Sequence, residues 1–111
     1  MNRKNLGLAL GLILVAAMPL HAENLLNFNL TAKDGRFSPE KIEVPAGQKI
    51  NLIVTNDGSG PEEFESSDLK REKLVMPGNN VNIIIGPLKA GVYGFYGEFH
   101  PQTARGQIVA K

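Results

Sequence analysis

Residues 91–109 read Gly91-Val92-Tyr93-Gly94-Phe95-Tyr96-Gly97-Glu98-Phe99-His100-Pro101-Gln102-Thr103-Ala104-Arg105-Gly106-Gln107-Ile108-Val109. The stretch reads as a strand, a loop and a second strand. Val92, Gly94 and Tyr96 face one way and Tyr93 and Phe95 the other, the two-residue period of a pleated strand. The alternation breaks after Gly97, and His100 falls in the loop. Beyond Gly106 a short apolar strand, Ile108 to Ala110, closes the chain. A lone imidazole on a short loop between two strands is a functional candidate, because strands hold a loop still and loops carry chemistry.

The rest of the chain has the same texture. Leu25 to Leu30 alternates weakly, and Lys33-Asp34-Gly35-Arg36 is a turn. Ile42 and Val44 face away from Lys41 and Glu43, and Pro39 and Pro45 flank them, as expected near a sheet edge. Gln48 to Thr55 sets Ile50, Leu52 and Val54 on one face. Asn56-Asp57-Gly58-Ser59-Gly60-Pro61 is the longest turn-rich run, and Glu62-Glu63-Phe64-Glu65 follows it with Phe64 aimed at the core. Pro77-Gly78-Asn79-Asn80 turns again before the β-branched run Val81 to Ile85. No long helix is evident, although Leu69 to Leu74 has room for one helical turn. The sum is about seven to eight short strands with turn signals every eight to twelve residues, which predicts an all-β sandwich.

The 111 residues suggest one folded domain behind a targeting segment. Arg3 and Lys4 precede the apolar run Leu6 to Met18, Pro19 breaks it, and Leu20-His21-Ala22 offers a small-residue exit. Residues 1–22 therefore read as a secretory signal peptide cleaved near Ala22, which makes the mature domain, residues 23–111, an exported protein. The run is short for a membrane anchor, since spanning needs ~20 apolar residues. Removing Arg3 and Lys4 leaves 10 basic against 11 acidic residues, a net charge of −1. That balance argues against nucleic acid, which needs a basic footprint. With no cysteine in the chain, neither a disulfide nor a thiolate is available, and stability must come from one hydrophobic core.

Two separated strings resemble the cupredoxins, small blue-copper β-sandwiches. The first is Tyr93-Gly94-Phe95-Tyr96-Gly97-Glu98-Phe99-His100, which follows their Tyr-x-Phe-x-Cys-x-x-His segment with Gly97 in the place of the cysteine. Ala104, before Arg105-Gly106, stands where the axial methionine would be. The second is Phe37-Ser38-Pro39-Glu40-Lys41-Ile42-Glu43-Val44-Pro45-Ala46-Gly47. The resemblance implies a Greek-key sandwich from about Leu25 to Lys111, without a thiolate copper centre. The Glu63-Phe64-Glu65 motif is most similar to the branch of periplasmic cupredoxin-like proteins that accompany bacterial ferrous-iron uptake. What that implies is a protein that binds, oxidises or relays electrons from ferrous iron for a high-affinity iron permease. In that branch a glutamate at the first position of the motif is thought to bind metal, and this role transfers to Glu63.

The fold so implied brings the loop after Asn56 and the His100 loop to one end of the sandwich, and hence Glu63 toward His100. The candidate metal ligands are then Glu63, Glu98 and His100, with Glu65 and Met76 in weaker roles. Carboxylates with an imidazole suit iron, zinc or copper(II) better than copper(I), which prefers sulfur. Each candidate also has a plain reading: His100 as a loop cap, the carboxylates as solvated edge charges, Met76 as core filler. Nucleophilic catalysis has no foundation, because Ser66 and Ser67 have no second histidine to activate them. Gly58-Ser59-Gly60-Pro61 lacks the lysine and the helix start of a phosphate loop. At most the chain is a component of a ferroxidase. A copper carrier using Met76 and His100, and a metal-free β-sandwich that binds a partner, are the competing expectations. Metal identity, copper or iron, the electron-transfer partner and a homodimer that would supply further ligands are left open by the sequence.

Overall fold

The computed structural model describes residues 24–111; the signal-peptide expectation for residues 1–22 lies outside them. The described residues form nine strands: β1 (Leu26–Lys33), β2 (Arg36–Ser38), β3 (Lys41–Val44), β4 (Ile50–Asn56), β5 (Glu62–Ser66), β6 (Arg71–Val75), β7 (Asn80–Ile85), β8 (Gly91–Gly97) and β9 (Arg105–Ala110). One sheet has the order β2-β1-β4-β7 and the other β3-β9-β8-β5-β6. β1 runs parallel to β4 and β3 parallel to β9, while the remaining pairs are antiparallel. This is the all-β sandwich the periodicity predicts.

Alternation decides which side chains meet between the sheets. Ile50, Leu52 and Val54 of β4 are buried, and so are Ile42 and Val44 of β3 and Ile108 and Ala110 of β9. Across the gap, Phe37 of β2 meets Phe95 of β8 edge to face at 5.4 Å and Phe64 of β5 at 6.2 Å, and Phe64 lies 5.2 Å from Phe95. The three rings thus join both sheets. Edge-to-face rings contribute about 0.5–1.5 kcal/mol beyond the burial of their area.

Nine strands exceed the seven to eight expected, and β2 and β6 account for the difference. The Leu69–Leu74 segment is not a helical turn. Lys70 takes a positive φ of 56° in the turn after β5, and Arg71–Val75 pairs back along β5. Charges hid this strand. β6 is the outer strand of its sheet, so Lys73, opposite Phe64 in register, is exposed rather than packed. Inward-facing lysines are a common device on strand edges, where they discourage pairing with other chains.

Candidate metal site

Two turns and one loop build the end of the sandwich where His100 sits. The first turn is Asp34-Gly35 between β1 and β2, both with positive φ (52° and 73°), the conformation that favours Asp-Gly in tight hairpins. A Cβ on Gly35 would fall 3.1 Å from Cδ2 of His100, so the bare glycine backbone packs against the imidazole. Thr103 Oγ1 donates to the Gly35 carbonyl and ties the His100 loop to this turn.

Asn56 fixes the second part, the β4–β5 loop. It is 1% exposed, and its Nδ2 donates to the carbonyls of Gly60 (2.9 Å) and Val75 (2.8 Å). Its Oδ1 accepts from Gly58 N–H (2.8 Å). Its backbone joins the turn after β6, with Asn56 N–H donating to Asn79 O (2.9 Å) and Gly78 N–H to Asn56 O (2.8 Å). One buried amide therefore ties two loops together with its polar atoms satisfied, which is what burial of an amide demands.

The loop delivers Glu62 into the end of the sandwich. Glu62 and Phe64 share the inner face of β5. The Glu62 carboxylate, 6% exposed, accepts at Oε1 from the backbone N–H groups of Glu63 and Phe99, each at 3.0 Å. Its Oε2 lies 2.7 Å from Nδ1 of His100, whose side chain is half-exposed. An ionised carboxylate only accepts, so the network assigns the shared proton to Nδ1. Beside the pair a cleft of about 230 Å³ opens between Gly35, Gly58, Ser59, Gly60 and Pro61.

The converging loops meet as expected, but the carboxylate that reaches His100 belongs to Glu62 and not Glu63. Successive side chains on a strand point to opposite faces, so Glu63 is directed to the outer face of the five-stranded sheet. There its carboxylate and those of Glu65 and Glu72 lie within 4.8 Å of one another. Glu65 stands opposite Glu72 in register. Glu98 lies near this group, since its charge acts on Glu65, and its N–H donates to Glu63 O (2.9 Å). Met76 follows β6, half-exposed, and is not among the residues lining the cleft. The expected ligands thus separate: His100 sits at the end of the sandwich with Glu62, and Glu63, Glu65 and Glu98 sit on an acidic outer face with Glu72.

Burial, with the negative charges of Glu72, Glu63 and Glu98, raises the Glu65 carboxyl above its ordinary pKa, and Glu65 Oε2 is buried without a hydrogen-bond partner. Burial, Glu98 and Glu65 likewise raise the Tyr96 hydroxyl, partly offset by Arg105, whose guanidinium lies 5.8 Å above the Tyr96 ring. A raised folded-state pKa means that the folded form binds more protons than the unfolded chain, so Glu65 costs stability as pH rises. Glu65→Gln is expected to raise Tm at pH 7, with the gain shrinking as pH falls through the carboxylate range. Thermal melts of both proteins across that range check the sign.

Known proteins place this architecture. A relative from Rickettsia prowazekii, described as an uncharacterized protein, is 49% identical over 87 residues, covering 78% of this chain and 70% of that one. Auracyanin A, a "blue" copper protein of Chloroflexus aurantiacus, superposes with a TM-score of 0.68 at 12% identity, over 79% of this chain and 100% of that one. A purple cupredoxin from Nitrosopumilus maritimus gives 0.58 at 22% identity, over 75% of this chain and 98% of that one. The profile of the cupredoxin-like domain matches residues 6–110. With two sheets, the polar end that carries His100 and a match over nearly its whole length, the chain belongs to the cupredoxin-like domain family.

Proposed function

We propose that this protein is an exported, periplasmic metal carrier that holds iron or copper(II) between Glu62 and His100 and passes it to a membrane permease. The observation that carries the reading is the 2.7 Å approach of a buried carboxylate to an imidazole nitrogen at the loop end of the sandwich. Glu62 and His100 would be the residues that hold the cation, Nδ1 giving up its proton to do so. An oxygen with a nitrogen suits iron and copper(II), and disfavours copper(I), which seeks sulfur.

The residues do not fit the thiolate copper of blue cupredoxins. The chain has no cysteine. The place where a side chain of residue 97 would enter is filled by the Glu62 carboxylate. Ala104, fully buried, offers no sulfur either. No step is therefore assigned to a copper thiolate. Binding and delivery, with at most a one-electron relay, suit a single site with two protein ligands better than oxygen reduction does. Glu63, Glu65, Glu72 and Glu98 serve as a negative face that draws cations toward this end. The likeness of Glu63-Phe64-Glu65 to the iron-uptake branch supports iron as cargo and an iron permease as recipient.

Calorimetric titration of residues 23–111 with ferrous iron, ferric iron and copper(II) tests the reading. One ion per chain is expected, with binding removed by His100→Ala. Because a ligand that binds only the folded state stabilises it, saturating metal at ~100 times Kd should add about 2.7 kcal/mol. No binding by wild type, or affinity that survives His100→Ala, would refute the assignment.

A further inference from the structure

Gly97 ends β8, and it is not among the glycines with positive φ. Its backbone is open to any residue, so conformation does not explain the missing side chain. Space does. A Cβ at this position would lie 2.7 Å from Cδ of Glu62 and 2.8 Å from each of its oxygens, inside the distance at which non-bonded atoms meet. The direction is as telling as the distance: a side chain on residue 97 would run into the Glu62 carboxylate, whose Oε2 contacts His100 Nδ1.

Glu62 has no easy way to step aside. Its carboxylate is anchored by the N–H of its neighbour Glu63 and by that of Phe99, two residues past Gly97 on the loop that carries His100. Moving it forfeits both bonds and the contact with His100, and leaves two part-buried donors without their acceptor.

Resting on the metal-binding reading above, we infer that Gly97 determines which cations this end of the sandwich accepts. Without a side chain on β8, Glu62 presents oxygen from β5; with one, residue 97 presents its own donor and the carboxylate is displaced. Glycine here gives an oxygen–nitrogen pair, which selects hard and borderline cations. A thiol at the same position would turn the selection toward soft ones. Residues 62 and 97 therefore act as a coupled pair: the donor atom comes from one strand or the other.

A double-mutant cycle followed by thermal melting tests the coupling without any metal. Gly97→Ala is expected to lower Tm by roughly 5 °C or more for a domain of this size, or to prevent folding. In the Glu62→Ala background the same change should cost little, or folding should return. Additive costs, or a failure of Glu62→Ala to relieve Gly97→Ala, overturn the inference. Selectivity is read by titration of the metals themselves. Gly97→Cys combined with Glu62→Ala should raise the ratio of copper(I) to copper(II) affinity at least 100-fold over wild type, and Gly97→Cys with Glu62 intact should raise it far less. Equal ratios in the two cysteine variants refute the competition for space. A wild type that binds neither iron nor copper(II) would remove the carrier reading while leaving the melting cycle interpretable on its own.

Discussion

Glu62→Ala is expected to abolish metal binding, while Glu63→Ala one residue away retains it. The two side chains are adjacent in sequence and opposite in space. Glu62 is buried against His100, and Glu63 stands on the outer face beside Glu65 and Glu72. Mutation of an outer-shell partner of a metal ligand typically costs about 10–100-fold in affinity. Removal of one of two protein ligands should exceed that, to ~100-fold or more, where Glu63→Ala costs a few-fold through lost attraction alone. Glu63→Ala should also show a weaker dependence of binding rate on salt, because it acts through a screened field. Parallel titrations of the two variants decide the matter. Equal losses would mean that the ion sits between the two carboxylates and not at His100.

Glu62→Ala also has a structural cost that separates its two roles. The part-buried N–H groups of Phe99 and Glu63 lose their acceptor, which costs up to about 1–3 kcal/mol where water cannot replace it. Glu62→Gln keeps a carbonyl oxygen for those donors but removes the charge. It should therefore hold stability closer to wild type and still lose most of the metal affinity. A fall in Tm without a fall in affinity would make Glu62 a loop anchor only.

The choice between Glu62 and Glu63 was readable from one residue. Phe64 is the only aromatic in its strand, and an aromatic there points inward. Parity then puts Glu62, two positions earlier, on the same inner face and sends Glu63 and Glu65 outward. Resemblance at the Glu63-Phe64-Glu65 motif directs attention to the other parity. The sandwich itself was legible because its evidence is local: the two-residue period of β4, the bracketing prolines of β3 and the turn residues between them. β6 was not, because an edge strand carries charge on both faces and loses its period. Asn56 reads as an ordinary turn residue. Its role depends on Val75 and Asn79, which reach it only after β6 and β7 have paired with their sheets. The acidic face is hidden for the same reason, since Glu72 meets Glu65 only through the register of β5 and β6.

Phe64→Ala is expected to give the largest loss of stability of any truncation to alanine in the described core. Phe64 heads the largest fully buried side chains, at 0% exposed, and contacts the rings of both Phe37 and Phe95. A Phe→Ala change in a packed core costs about 3–5 kcal/mol, through lost transfer energy and the cavity left behind. Domains of this size have about 5–15 kcal/mol in total, and this one has no cysteine and so no cross-link to limit the damage. Phe64 also lies on the inner face of β5 two residues from Glu62. Loosening of the β5 backbone there should move the carboxylate away from His100. The expected result is a drop in Tm of roughly 15 °C or more, with metal affinity reduced in the fraction that stays folded. Phe64→Leu separates the two effects: it refills most of the volume, so it should recover most of the stability and nearly all of the binding. Urea unfolding of the three proteins with unchanged m-values, followed by metal titration of each, measures both quantities. Full metal affinity in folded Phe64→Ala would show that the Glu62–His100 pair is held by its loops and not by the core beneath it.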